Sequence, residues 1–375
     1  MGFFSKLFGG GDAKAKDAET PASADETDDE TDDDAFALAD VLDAVDSADG
    51  GARVDGSALL VARAREGRDP EAVAALVARW PKLLADPEDQ VRRRALTATG
   101  IVPASPERDL AAFALLDDKH PQVRAQAVWT AAQLALGAWA GRVKGRLGDA
   151  SAMVRFAAAA ALAQAQDAAG FDELVAALDD PTTRLEAIQA LADLGSDHAL
   201  APLHSLFERP LLDGMDKVQC AGALAKLGDE AGRAHLLDAL DGNDDLAPLA
   251  AGWLGDLGVT EAISKLEALA EDPSSMARGP ALQALAALHA DGAEARLVRV
   301  LSDDGEETEA RLDAAEGLAL LATPGARNAL EETAGRAQDD ELRGALEDIL
   351  QQLEVRDQAQ AAQAAQAAAK PPEAT

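Results

Sequence analysis

From Glu71 onward the chain alternates short amphipathic runs, and the alternation repeats. A signature begins at Val91, Val123, Val154, Thr183, Asp216, Leu246, Ala277, Ala310 and Leu342. Its second position is basic, its fifth is small and its ninth is usually leucine. Successive starts lie 29 to 33 residues apart. At about 100° per residue, positions 1, 5, 9 and 12 share one face of a helix, here called helix B. A second apolar-periodic run precedes each signature, as in Phe171 to Leu178 and Glu261 to Leu269. Acidic turns join the two: Asp86-Pro87, Asp117-Asp118, Asp179-Asp180-Pro181, Asp272-Pro273. Proline and aspartate there stop one helix and start the next. The unit is helix A, tight turn, helix B. Such a period predicts an all-α, right-handed α-solenoid of about nine stacked helical hairpins over residues 70–356.

The flanks differ. Residues 1–34 join a short apolar peptide to an acidic linker that has nothing to bury, so disorder is expected there. Residues 35–69 predict capping helices, one over 35–45 and one over 57–65, with a break at Gly50-Gly51. Residues 357–375 form an Ala/Gln-rich low-complexity tail.

The columns of helix B carry the packing. Position 5 reads Ala95, Ala127, Ala158, Ala187, Cys220, Ala250, Ala281, Ala314 and Leu346. Small side chains there let neighbouring helices approach. Position 2 reads Arg92, Arg124, Arg155, Arg184, Lys217, Ala247, Arg278, Arg311 and Arg343. A cation in the first turn faces the positive end of the helix dipole and needs compensation. The turn aspartates supply it, so the column predicts a structural arginine–aspartate ladder between repeats. An anion-binding stripe is the alternative, and the same acids would quench it.

Positions 4, 7 and 11 form the exposed ridge, which includes Arg94, Gln126, Trp129, Gln133, Gln189, Gln219 and Gln283. Trp129 stands among Gln126, Gln133 and Arg94. An aromatic ringed by hydrogen-bonding groups suits a protein-binding anchor. The other reading packs Trp129 beneath the next repeat. Trp253, with Pro248 and Pro280 nearby, predicts irregular stacking over 243–285, the indole bulging or filling a gap left by Gly252 and Gly255.

The turn aspartate followed by Val-Arg-x-x-Ala-x-x-Ala-Leu, clearest at Val154-Arg155 and from Thr183-Arg184 to Leu194-Gly195, resembles the short HEAT-like repeats first described in phycobilin lyases. The resemblance covers about residues 70–353. It implies B helices lining a concave face, and an arginine–aspartate ladder is a known feature of such repeats. It says little about chemistry, because the repeat serves many functions.

Net charge is −34, of which residues 41–375 carry −25, so the folded body is itself acidic. Such a surface repels nucleic acid and anionic lipid, and suits a basic protein partner or a salty cytoplasm. His120, His198, His204, His235 and His289 show no metal-ligand spacing. No His-Glu pair occurs of the kind the HEAT-type hydroxylases use for di-iron. Cys220 reads as a buried alanine substitute. No metal, cofactor or catalytic residue is expected. Phe3, Phe4, Leu7 and Phe8, beside Lys6, would share one face of a short helix able to dock on a membrane surface or a partner. The sequence thus predicts a cytoplasmic, monomeric, non-enzymatic scaffold or adaptor that binds another protein along its B-helix face. The alternative is a lyase-like or chaperone-like accessory subunit acting on another protein.

Overall fold

A computed structural model of the chain describes residues 37–65, 69–242 and 245–369. The apolar peptide Phe3, Phe4, Leu7, Phe8 and the acidic linker lie outside the described residues. Those described are helix, turn and loop, with no strand among them. They gather into two compact units, 37–199 and 200–369.

The first unit holds α1 (Leu38–Val45), α2 (Gly50–Arg65), α3 (Pro70–Leu84), α4 (Asp89–Thr97) and α5 (Pro106–Ala114). It continues with α6 (Pro121–Ala135), α7 (Ala140–Gly145), α8 (Ala152–Gln164), α9 (Phe171–Ala177) and α10 (Arg184–Leu194). The even-numbered helices are the B helices. Each packs on the next in the order α2, α4, α6, α8, α10. The local starts and stops are legible in chemistry. Asp69 accepts the amides of Glu71 and Ala72 ahead of α3, with Pro70 in its first turn. Ser105 and Pro106 do the same for α5. Gly195, at φ +64°, ends α10 in the left-handed conformation that favours glycine.

The second unit repeats the plan. Its A helices are α11 (Leu200–Phe207), α13 (Glu230–Ala239), α15 (Ile263–Glu271), α17 (Ala293–Ser302) and α19 (Pro324–Arg336). Its B helices are α12 (Gly214–Lys226), α14 (Leu246–Asp256), α16 (Arg278–Ala287), α18 (Thr308–Leu321) and α20 (Asp340–Ala369). They too pack in sequence. The solenoid pattern of helix A, turn, helix B therefore runs through both units.

The small column does its work in both. Every position-5 side chain, from Ala95 to Leu346, is at most 1% exposed. Position 9 is buried at Leu162, Leu191, Leu224, Leu254, Leu285 and Leu318. Removing this area from water is the main stabilising term in each stack.

Two expectations are corrected. Gly50-Gly51 is no break: both residues lie in the first turn of α2. The α1–α2 hairpin is itself a repeat, with Arg53, Gly56 and Leu60 at positions 2, 5 and 9. Gly56 is small for the same reason as its alanine counterparts, since a Cβ there would lie 2.6 Å from the Val45 nitrogen. The second correction concerns 243–285. Pro248 and Pro280 each occupy the third residue of a helix, where proline costs least, and α14 and α16 run on uninterrupted.

Candidate functional site

The position-2 cations sit where helix A turns into helix B, and they do two things there. First, the guanidinium donates to a backbone carbonyl six residues earlier, at the end of helix A. Arg92 meets the Asp86 carbonyl at 2.7 Å, Arg124 that of Asp118 at 2.9 Å and Arg155 that of Asp149 at 3.1 Å. Arg184 meets Leu178 at 2.9 Å and Arg343 meets Ala337 at 3.1 Å. Carbonyls left over at a helix C-terminus need donors, and a cation suits that end of the dipole. The arginine thus opposes the dipole of its own helix and serves that of the helix before it.

Second, the same guanidinium reaches a carboxylate in the following repeat. Arg53 donates to both oxygens of Asp86 at 2.8 and 3.2 Å. Arg92 grips Asp118 at 2.8 and 2.9 Å, and Arg124 grips Asp149 at 2.8 and 2.6 Å. These carboxylates also accept the amide two residues on: Glu88, His120 and Ser151. One aspartate shapes its turn and receives the neighbouring arginine. Burial pushes the Asp118 carboxyl up, but Arg92 and the His120 amide outweigh it and hold it below its ordinary value. Asp149 is held low first by its bond from Arg124, against burial.

Further along, the partners drift. Arg155 turns to Glu173 at 2.7 Å, on helix A rather than in the turn. Lys217 lies over the Phe207 ring, 5.0 Å from its centroid. Arg278 meets Glu306 at 2.6 Å through both terminal nitrogens. Arg311 donates to the Leu301 carbonyl at 3.0 Å and lies 3.1 Å from Asp304, while Arg343 pairs with Asp340, both of them acids of their own turn.

On the ridge, Trp129 is half-buried and packs against the core of the first unit. Arg94 donates to the Val54 carbonyl of α2. Gln126 is half-buried and Gln133 exposed. Arg94 on α4 and Gln126, Trp129 and Gln133 on α6 therefore share two packed helices. Gln189 on α10 is separated from them by α8, and donates to Asp193 at 3.0 Å. Two ridge glutamines are not exposed. Gln219 and Gln283 are 4% and 7% accessible, because each B helix is flanked by B helices on both sides. Gln283 donates to Asp313 at 3.1 Å, and Gln219 accepts from the Trp253 indole at 2.9 Å. The space that Trp253 fills is not at Gly255, which faces Ala284 instead. It belongs to Gly222 of the preceding B helix, where a Cβ would lie 2.1 Å from the ring.

Cys220 is buried, and its thiol donates to the Leu203 carbonyl at 3.2 Å. Burial pushes the thiol up to about 12, which withholds the reactive thiolate at neutral pH. His204 pairs with Asp229 at 2.9 Å, and the His235 ring packs edge-on to Phe207. Among the described residues no group of three His, Cys, Asp or Glu could hold a metal. No described helix is long and apolar enough to cross a membrane.

Stacked two-helix units of this length, with a small column inside and a basic residue opening helix B, define a helical-repeat solenoid. The HEAT repeats family model matches residues 140–213, and the PBS lyase HEAT-like repeat model matches residues 216–242. Residues 140–213 and 216–242 are therefore HEAT-like repeats. No curated protein matches it. Among solved structures, it is similar to human deoxyhypusine hydroxylase in complex with glycerol, at 24% identity and a TM-score of 0.30, over 66% of this chain and 96% of that one. It is similar to the complex of CpcE and CpcF of phycocyanin lyase from Nostoc sp. PCC7120, at 16% identity and a TM-score of 0.33, over 90% and 99%. It is also similar to Kap121p, at 12% identity and a TM-score of 0.34, over 82% of this chain and 44% of that one. Each likeness is low in identity and score and extends to the fold alone. The expectation that the chain is not an enzyme does not stand. The repeat model it matches over 216–242 is that of the PBS lyase HEAT-like repeat. That expectation rested on missing motifs, and a repeat scaffold can build a site from scattered residues that no motif records.

Proposed function

We propose that this chain is a repeat scaffold working as a lyase-like or chaperone-like accessory subunit that acts on another protein. The observation that carries the reading is the B-helix row of the first unit, where the half-buried Trp129 shares α6 with Gln126 and Gln133, and α6 packs on α4, which carries Arg94. A partly covered aromatic with polar neighbours can bury its remaining surface against a client at little entropic cost. The match to a lyase-type repeat supports the accessory role. The net charge of −34 favours a basic client, and steers it by long-range attraction. Gln189, two B helices further on, extends the contact for a client large enough to span them. In this reading the protein works as a cytoplasmic monomer, and the arginine ladder holds the row in shape. The test is recovery of native clients by wild type and Trp129→Ala. Loss of a client by a variant that melts like wild type supports the reading, and undiminished recovery overturns it.

A further inference from the structure

A second surface lies on the other unit, marked by an oddity of composition. The chain has four methionines. Apart from Met1 they are Met153, Met215 and Met276, and each immediately precedes the first position of a repeat signature. Met153 and Met215 lie in the first turn of their B helices, and Met276 in the turn just before its own. Methionine is ordinarily a core residue, yet these three are 52%, 53% and 66% exposed. In the second unit two of them stand on one edge. Leu211, 98% exposed, lies in the turn just ahead of α12, which carries Met215. Leu246 opens the next B helix, where its side chain lies 3.2 Å from where a Cβ on Gly214 would be. Met276 follows one repeat later.

We infer that this edge, Leu211, Met215, Leu246 and Met276, docks a basic amphipathic helix of a partner protein. The charge around it argues for a basic occupant. Asp213, Asp245 and Asp272 are exposed along the edge. The cations of the same turns are engaged, Lys217 over Phe207 and Arg278 on Glu306. The spacing argues for a helix. Packed helices lie roughly 8–10 Å apart, which sets the interval between the starts of α12, α14 and α16, where Met215, Leu246 and Met276 stand. Seven residues of α-helix advance about 10.5 Å. Apolar residues every seventh position of a partner helix therefore fall in register with successive turns. Unbranched thioethers adapt to such a partner without fixing its identity.

The edge is tested with a fluorescein-labelled 21-residue peptide carrying leucine at heptad spacing and lysine elsewhere, followed by anisotropy at 0.3 M salt. Wild type binds, and Leu211→Ser/Met276→Ser, melting as wild type does, binds at least tenfold more weakly. Met153→Ser and Trp129→Ala change affinity less than twofold, so this inference and the client row stand or fall separately. Bound peptide slows peroxide oxidation of Met215 and Met276 but not of Met153. Equal affinity of the double variant, equal binding of a leucine–glutamate peptide, or uniform protection of all three methionines overturns the inference. So does a gain of more than threefold on deleting residues 1–11, which would make the chain's own N-terminal peptide the occupant.

Discussion

The two units are built on one repeat and held by different devices. In the first, Arg53, Arg92 and Arg124 each grip a turn aspartate of the next repeat through two nitrogens, and those carboxylates are only 4%, 8% and 5% exposed. In the second, the turn acids shape their turns in the same way, as Asp213 does for Met215 and Asp272 for Ser274. The column that served the ladder now holds Lys217, Ala247 and Arg278, of which Arg278 keeps a two-nitrogen grip on a carboxylate of the next repeat, Glu306. Between Lys217 and Arg278 stands an aromatic device, Trp253 seated on Gly222 and bonded to Gln219. The repeat therefore fixes only the small and leucine columns. The junction chemistry can be exchanged while the stack survives.

The comparison can be broken on either side. The largest effect is expected from Trp253→Ala, which opens a cavity over Gly222 and leaves buried Gln219 short of its indole donor. Truncations of this kind cost about 3–5 kcal/mol, read as a lower urea midpoint for the second unit. Arg92→Ala should follow closely. It strands a buried Asp118 carboxylate and two turn carbonyls, and breaking a buried pair costs about 3–5 kcal/mol. Replacing both members, as Arg92→Met with Asp118→Leu, should recover most of that loss.

Acid sharpens the contrast further. Asp118 is held below its ordinary value in the folded protein. Its contribution is therefore present above the unfolded value, near 3.9, and is lost as pH falls through the depressed one. Asp118→Asn should be less stable than wild type at pH 7, and the gap should close in acid below the ordinary carboxylate range. A gap that widens there would contradict the assignment. The smallest effect belongs to Arg343→Ala. Its carboxylate partner Asp340 is 88% exposed, and such pairs contribute about 0–1 kcal/mol, within the scatter of thermal melts.

The repeat itself was legible because its columns recur: eight small residues and Leu346 could be lined up at position 5, and all nine are buried. The hairpin at α1–α2 escaped notice because 39 residues separate its first position, Ala52, from Val91, outside the repeat's own range. Its signal was nevertheless present in Arg53, Gly56 and Leu60. The carbonyl that each ladder arginine bonds was not legible from charge, since the dipole argument looked only forward along helix B. Gln219 and Gln283 were misplaced for a geometric reason: a helical wheel treats a helix alone, and a B helix in a stack buries both flanks. The Trp253–Gln219 bond joins residues 34 apart and follows from stacking, which periodicity cannot register.

A shared repeat is secured by buried arginine–aspartate rungs in one unit and, at the α12–α14 junction of the other, by an aromatic seat. Hydrogen exchange of Arg92→Ala and Trp253→Ala at pH 7 tests it most directly. The account predicts that Arg92→Ala loses amide protection first in α3 to α6, and Trp253→Ala first in α12 to α16. Protection lost equally in both regions by either variant, or no loss at α4 and α6 on removing Arg92, would contradict it.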